Sequence, residues 1–165
     1  MRSFCRFPAL GRLAGALAVL SVLACGGGPE AQLEKARSQL ASGAYAEAAA
    51  TAEAGLAAGA EGAVAWRLEL VALEGEARSG RSADARARLE RLAGSPFATQ
   101  VNGPLYVQTA AQLREAGDAE GAILVLDAGA QRFPEDPDVA RAIEQAKTSG
   151  SAAELEQLRS LGYVE

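Results

Sequence analysis

The chain has 165 residues, room for one small domain behind an N-terminal leader, with alanine at nearly a quarter, aromatics at only 5% and a net charge of −5. It contains no histidine, which removes the commonest general base and the commonest transition-metal ligand. An acidic balance also lacks the concentrated positive field that a phosphate backbone needs, so no nucleic-acid partner is expected.

In chain order, the first expected element is an address. Arg2, Arg6 and Arg12 precede an uncharged run from Leu13 to Ala24 that ends in Val22-Leu23-Ala24-Cys25. Basic, then apolar, then small is the layout of a secretory signal, here residues 1–24. The run is too short for a spanning helix, which needs ~20 residues. Without it the body keeps 13 basic and 21 acidic residues, a net charge of −8. Cys5 falls in the removed segment, so the mature chain has one cysteine and no intramolecular disulfide. Val22-Leu23-Ala24-Cys25 resembles the lipobox of bacterial lipoproteins, although leucine followed by serine or alanine is more usual before the final pair. That resemblance implies a lipid-modified Cys25 and a protein anchored in the cell envelope. By the same resemblance, glycine rather than aspartate after the cysteine favours sorting to the outer membrane, facing the periplasm, in a cell with two membranes. The other reading is a plain signal peptide or uncleaved anchor in which Cys25 is incidental. Gly26-Gly27-Gly28-Pro29 completes a flexible tether over residues 25–29.

From Pro29 the apolar spacing is helical. The first two expected helices are Glu30–Ala41, with Leu33, Ala36 and Leu40 in line, and Tyr45–Ala58, with Tyr45, Ala48, Ala49, Ala52 and Leu56. Next come residues 62–79, with Trp66, Leu70, Leu73 and Ala77 inward, and Ser82–Ala93, with Ser82 as N-cap and Ala85, Leu89 and Leu92 inward. Ser95-Pro96 is a candidate helix start that Gly103-Pro104 interrupts. Pro104 opens a helix carrying Tyr106, Ala110 and Leu113; Asp118 caps one carrying Ala122, Ile123, Leu126 and Phe133. Asp136-Pro137 starts another with Val139, Ile143 and Ala146, and Ser151 to Glu154 forms a capping box for a short terminal helix. Trp66 and Phe133 are expected to be the largest anchors of a core built of alanine and leucine.

Three phrases recur 37 residues apart: Gly43 with Ala48, Gly80 with Ala85, and Gly117 with Ala122. A glycine able to take positive φ ends one helix, and the alanine lets the next pack close. Such a period marks a helical array in which no unit buries its apolar face alone. Gly117-Asp118, Ala122, Leu126 and Pro134, with Tyr106 where tryptophan is usual, resemble the tetratricopeptide repeat. The first unit matches through Gly43, Tyr45, Glu47 and Ala48 but lacks the closing proline; the second matches through Gly80, Ala85 and Leu89, with Trp66 displaced. The spacing exceeds the family's about 34 residues. The resemblance covers residues 30–148 and implies an all-α, right-handed solenoid of about three helix pairs. Residues 149–165 are expected to form a capping helix and tail.

No catalytic, metal or cofactor site is expected. Glu135-Asp136-Asp138 is interrupted by Pro137 and lacks the downstream glutamate of a calcium loop. Glu74 and Glu76 splay apart on a helix. In tetratricopeptide repeats the first helix of each unit lines a concave groove. By that resemblance Arg37, Arg67, Arg78, Arg114 and Arg141 face a peptide-binding groove suited to an acidic partner, the other reading being ordinary solvated charges. The expected function is a membrane-tethered adaptor for a partner protein or peptide. Residues 158–164 resemble the end of some bacterial sulfatase domains, which supplies the alternative of an accessory to sulfate-ester or glycan processing; as a plain structural element, Leu161, Tyr163 and Val164 cover the end of the array.

Overall fold

The computed structural model describes residues 27–165. The expected signal segment, residues 1–24, and Cys25 lie outside the described residues. Eight α-helices follow one another: α1 (Pro29–Ala41), α2 (Tyr45–Ala57), α3 (Gly62–Arg78), α4 (Ser82–Ala93), α5 (Gly103–Glu115), α6 (Ala119–Arg132), α7 (Pro137–Ser149) and α8 (Ala152–Ser160). The described residues contain no strand, so the body is an all-α, repeat-like array.

The turns are built as the recurrent glycines require. Gly43, Gly80 and Gly117 have φ of +81°, +72° and +88°. In each turn the residue after the glycine donates its N–H to the carbonyl five residues back: Ala44 to Gln39, Arg81 to Glu76 and Asp118 to Leu113, all at 2.9 Å. This closes the preceding helix and reverses the chain. A fourth copy, not foreseen, ends α8, where Gly162 has φ +80° and Tyr163 donates to Leu158. Ala48, Ala85 and Ala122 are all fully buried.

Helix starts follow the expected capping chemistry with two adjustments. Asp118 accepts from Gly121 N–H, Asp136 accepts from Asp138 and Val139 N–H, and Ser151 with Glu154 forms the capping box. Ser82 is the first helical residue of α4 and does not cap it, Arg81 occupying that position without a side-chain bond. Pro104 is the second residue of α5, whose cap is Asn102, accepting from Leu105 N–H. Ser95 starts no α-helix. Its hydroxyl donates to Leu92 O and accepts from Phe97 N–H, and the linker holds a single 3-10 turn, Ala98–Gln100. Too few residues remain before Gly103 for a helix to nucleate.

Packing places α1, α3, α5 and α7 side by side, with α4, α6 and α8 in contact along the other layer. Leu33, Ala36, Ala48, Ala52 and Leu68 form one core at the α1–α3 end. A larger core runs from Leu73 and Ala77 of α3 to Leu158 of α8. Leu161, Tyr163 and Val164 pack against that second core, and Tyr163 Oη donates to Asp127 at 2.9 Å. Burial and that bond push the Tyr163 phenol up to about 12.

The largest fully buried side chain is Tyr106, 2% exposed, and not Trp66 or Phe133, which are both half-buried. Gly129 makes the room: a Cβ there would stand 3.0 Å from Tyr106 Cβ. Phe133 meets the Tyr106 ring edge-on at 5.8 Å, and Trp66 leans on Phe97 of the linker at 5.5 Å.

Between the cores lies an ionic node. α2 and α4 make no close backbone contact, and Arg88 of α4 spans the gap. Its guanidinium, 2% exposed, donates to Glu76 (2.7 and 2.8 Å), Glu69 (2.5 Å) and Glu53 (2.8 Å). Burial opposes the charge, yet the bonds to Glu76 and Glu69 outweigh it and raise the arginine's pKa above its ordinary value.

Tyr106→Ala should cost about 3–5 kcal/mol in chemical denaturation, and Trp66→Ala less, because that ring is half solvated already. Arg88→Met strands Glu76 and Glu69 without a counter-charge and should cost about 3–5 kcal/mol. Glu53→Gln, which alters a mostly solvated carboxylate, should cost about 0–1 kcal/mol in the same assay.

Candidate functional site

Residues spaced three and four apart on α3 and α5 face one another across a shallow depression. Trp66, Leu70, Leu73 and Glu74 come from α3; Pro104, Leu105, Gln108, Thr109 and Gln112 come from α5. Gln100 and Asn102 of the linker close one end, and the volume is about 340 Å³. Sequence spacing set Trp66 and Leu70 among the inward residues. Both are half-buried and line this depression, because α3 has apolar side chains directed both into the core and into the groove.

A second depression of about 360 Å³ lies between α5 and α7, lined by Val107, Ala111, Asp138, Arg141, Ala142 and Gln145. Pro104 and Gln108 border both, so the two form one continuous face across α3, α5 and α7. Its character is apolar floor with side-chain amides. Three charged side chains border it: Glu74, bonded to Arg78 at 2.8 Å, and the pair Asp138–Arg141 at 2.8 Å.

The five candidate arginines are placed apart. Arg37 is exposed on α1 and pairs with Glu34 at 3.3 Å. Arg67 is exposed beside Trp66 on α3. Arg78 bonds Glu74, approaches Glu115 at 3.7 Å and stands 5.6 Å from the Tyr45 ring centroid. Arg114 bonds Glu154 of α8 at 2.5 Å and borders a separate small depression with Gln145, Ser149 and Gly150. Only Arg141 of the five borders the α5/α7 depression described above.

Two groups of residues escaped the sequence reading. The amides Gln100, Asn102, Gln108 and Gln112 carry no motif, and only the pairing of α3 with α5 brings them together. Arg88, Glu69 and Glu76 had a signal in the 37-residue register. Position 88 corresponds to Thr51 and Val125, 69 to Gln32 and Tyr106, and 76 to Gln39 and Leu113. Aligned so, ionisable groups stand where the neighbouring units place neutral ones. Among the described residues no cluster of three or more potential ligands is arranged to hold a metal ion.

Glu154 fixes α8 to α5 and is nearly buried. Burial alone would raise its carboxyl pKa, but hydrogen bonds from Ser151 and Arg114 prevail and hold it below the usual range. A carboxylate depressed in the folded state contributes stability that is fully present above its unfolded value and is lost as pH falls through the folded one. Urea midpoints should therefore fall on acidification below about pH 4.5. Glu154→Gln should show a shallower decline across that window.

Comparison of the chain with family models, curated proteins and solved structures finds no match.

Proposed function

We propose that this chain is a tetratricopeptide-like adaptor that binds a partner protein or peptide across the α3/α5/α7 face. In this reading it is tethered in the bacterial cell envelope, at the periplasmic side of the outer membrane, through a lipid-modified Cys25. The observation that carries the binding half is the continuous depression that Pro104 and Gln108 join across three helices. A long shallow face with apolar floor and neutral amides suits a segment of polypeptide better than a small molecule, which prefers an enclosed pocket. The absence of histidine and the dispersal of the carboxylates into ion pairs favour binding over catalysis. The tethering half rests on the sequence around Cys25, and no described helix is long and apolar enough to cross a membrane.

A photo-crosslinking residue at Gln108, on the face, and another at Arg91, exposed on α4, test both halves in cells that also carry Cys25→Ser. Adducts are expected from position 108 and not from 91, and Cys25→Ser should move the protein out of the membrane fraction. Adducts from 91 alone would overturn the binding face. Membrane retention of Cys25→Ser would overturn the lipid tether.

A further inference from the structure

Gln112 is 6% exposed, lines the α3/α5 depression, and leaves its carboxamide unpaired among the described residues. Its buried neighbour Thr109 is satisfied, donating to Leu105 O at 2.8 Å. Most side-chain amides on residues this buried find partners; this amide faces the depression and, unlike Gln39 Oε1, is not itself enclosed. One left open on a cavity wall marks a place where a ligand's donor and acceptor complete it.

The walls narrow the ligand. A carboxamide presents a carbonyl acceptor and N–H donors side by side. In an extended peptide the N–H and C=O of one residue point to the same side, so a single backbone residue satisfies both. Leu70, Leu73 and Leu105, with Trp66, make the floor hydrocarbon, and Gln100, Asn102 and Gln108 stand with Gln112 around it. That floor holds an apolar side chain well, and the amides around it suit a peptide backbone. The one ionisable group of the lining is Glu74, already bonded to Arg78. No cation lines this cavity to receive an acidic residue, and the body around it carries −8.

Resting on the partner-binding reading above, the geometry points to the Trp66–Gln112 cavity as the subsite for one apolar side chain of an extended, neutral or basic peptide segment, with Gln112 pairing to that residue's backbone. Gln112 then sets the affinity and register of the bound segment, and the apolar floor selects the side chain. Loss of its two hydrogen bonds should weaken binding about tenfold.

The probe is an array of synthetic twelve-residue peptides with a central leucine, phenylalanine or serine, flanked by lysine, serine or glutamate, presented to the full chain in detergent. Trp66 is the only tryptophan of the chain, so its emission reports the cavity directly. Leucine and phenylalanine peptides with lysine or serine flanks should bind and shift that emission. Central serine or glutamate flanks should bind about tenfold more weakly. Gln112→Leu, which keeps the bulk and suits a helix, should lose about tenfold in affinity with unchanged circular dichroism. Equal affinity of that variant, or binding without a change in Trp66 emission, overturns the subsite and leaves the wider face standing. Preference for glutamate flanks, capture of arrayed oligosaccharides in place of peptides, or no peptide binding at all overturns it too. No binding together with no adducts from position 108 removes the face as well. The emission arm needs only the wild-type chain and decides the matter should Gln112→Leu fail to fold.

Discussion

Arg88 is the interaction on which the arrangement of helices depends. Its guanidinium joins α2, α3 and α4, and does so where α2 and α4 are too far apart for their backbones to touch. Desolvating a charge is costly, and the bonds to Glu69 and Glu76 offset that cost only while all three side chains keep their geometry. The result is orientational. Glu69 and Glu76 lie seven residues apart, on one side of α3, and both are drawn toward α4. With about 100° per residue, Trp66, Leu70, Leu73 and Glu74 are then turned roughly a quarter of the circumference away. They face the groove and the α3/α5 contact because the opposite choice would pull the carboxylates off the guanidinium.

The node also makes the three units unlike one another. At corresponding positions the first unit has Gln32, Gln39 and Thr51, the second Glu69, Glu76 and Arg88, the third Tyr106, Leu113 and Val125. The first is polar and imperfectly satisfied, since Gln39 Oε1 is buried without a partner. The third is apolar and holds Tyr106 at full burial. Glu69, Glu76 and Arg88 belong to one unit, so the node fixes how α3 meets α4 within it, while the bond to Glu53 of α2 ties that unit to the one before. Buried polar groups that fix register at some cost in stability are the best-attested use of such sites. Here the bond of the node that crosses between units is the one to Glu53.

What was legible in the sequence was local. Gly43, Gly80 and Gly117, and the caps Asp118, Asp136 and Ser151, act on backbone within a few residues, so their spacing gave the turns and helix starts directly. Trp66 and Phe133 were misjudged because periodicity identifies an apolar stripe and not what the stripe faces. On α3 part of the stripe enters the core and part enters the groove. Arg88 stands between Arg86 and Arg91 on an otherwise charged helix with no local sign of burial; only its correspondence with Thr51 and Val125 marks it as inward. Arg78 has a local partner in Glu74, four residues back, but the state of Arg114 depends on Glu154 of α8, which no local pattern connects to it.

Those pairings bear on how charge works in this protein. A body of −8 carries a long-range field that disfavours acidic partners generally, while the face across α3, α5 and α7 is locally close to neutral. Under the proposed adaptor reading, recognition there would fall to apolar area and hydrogen-bond geometry, which salt screens weakly. Under the proposed lipid anchor, the three glycines between Cys25 and Pro29 extend roughly 10 Å at most. The start of α1 would then be held near the lipid surface, with its mixed charges Glu30, Glu34, Lys35 and Arg37 in the headgroup field rather than buried beneath it. The proposed binding face begins at α3, beyond α1 and α2, so a short tether would be compatible with an open groove because the first helix pair does not line it.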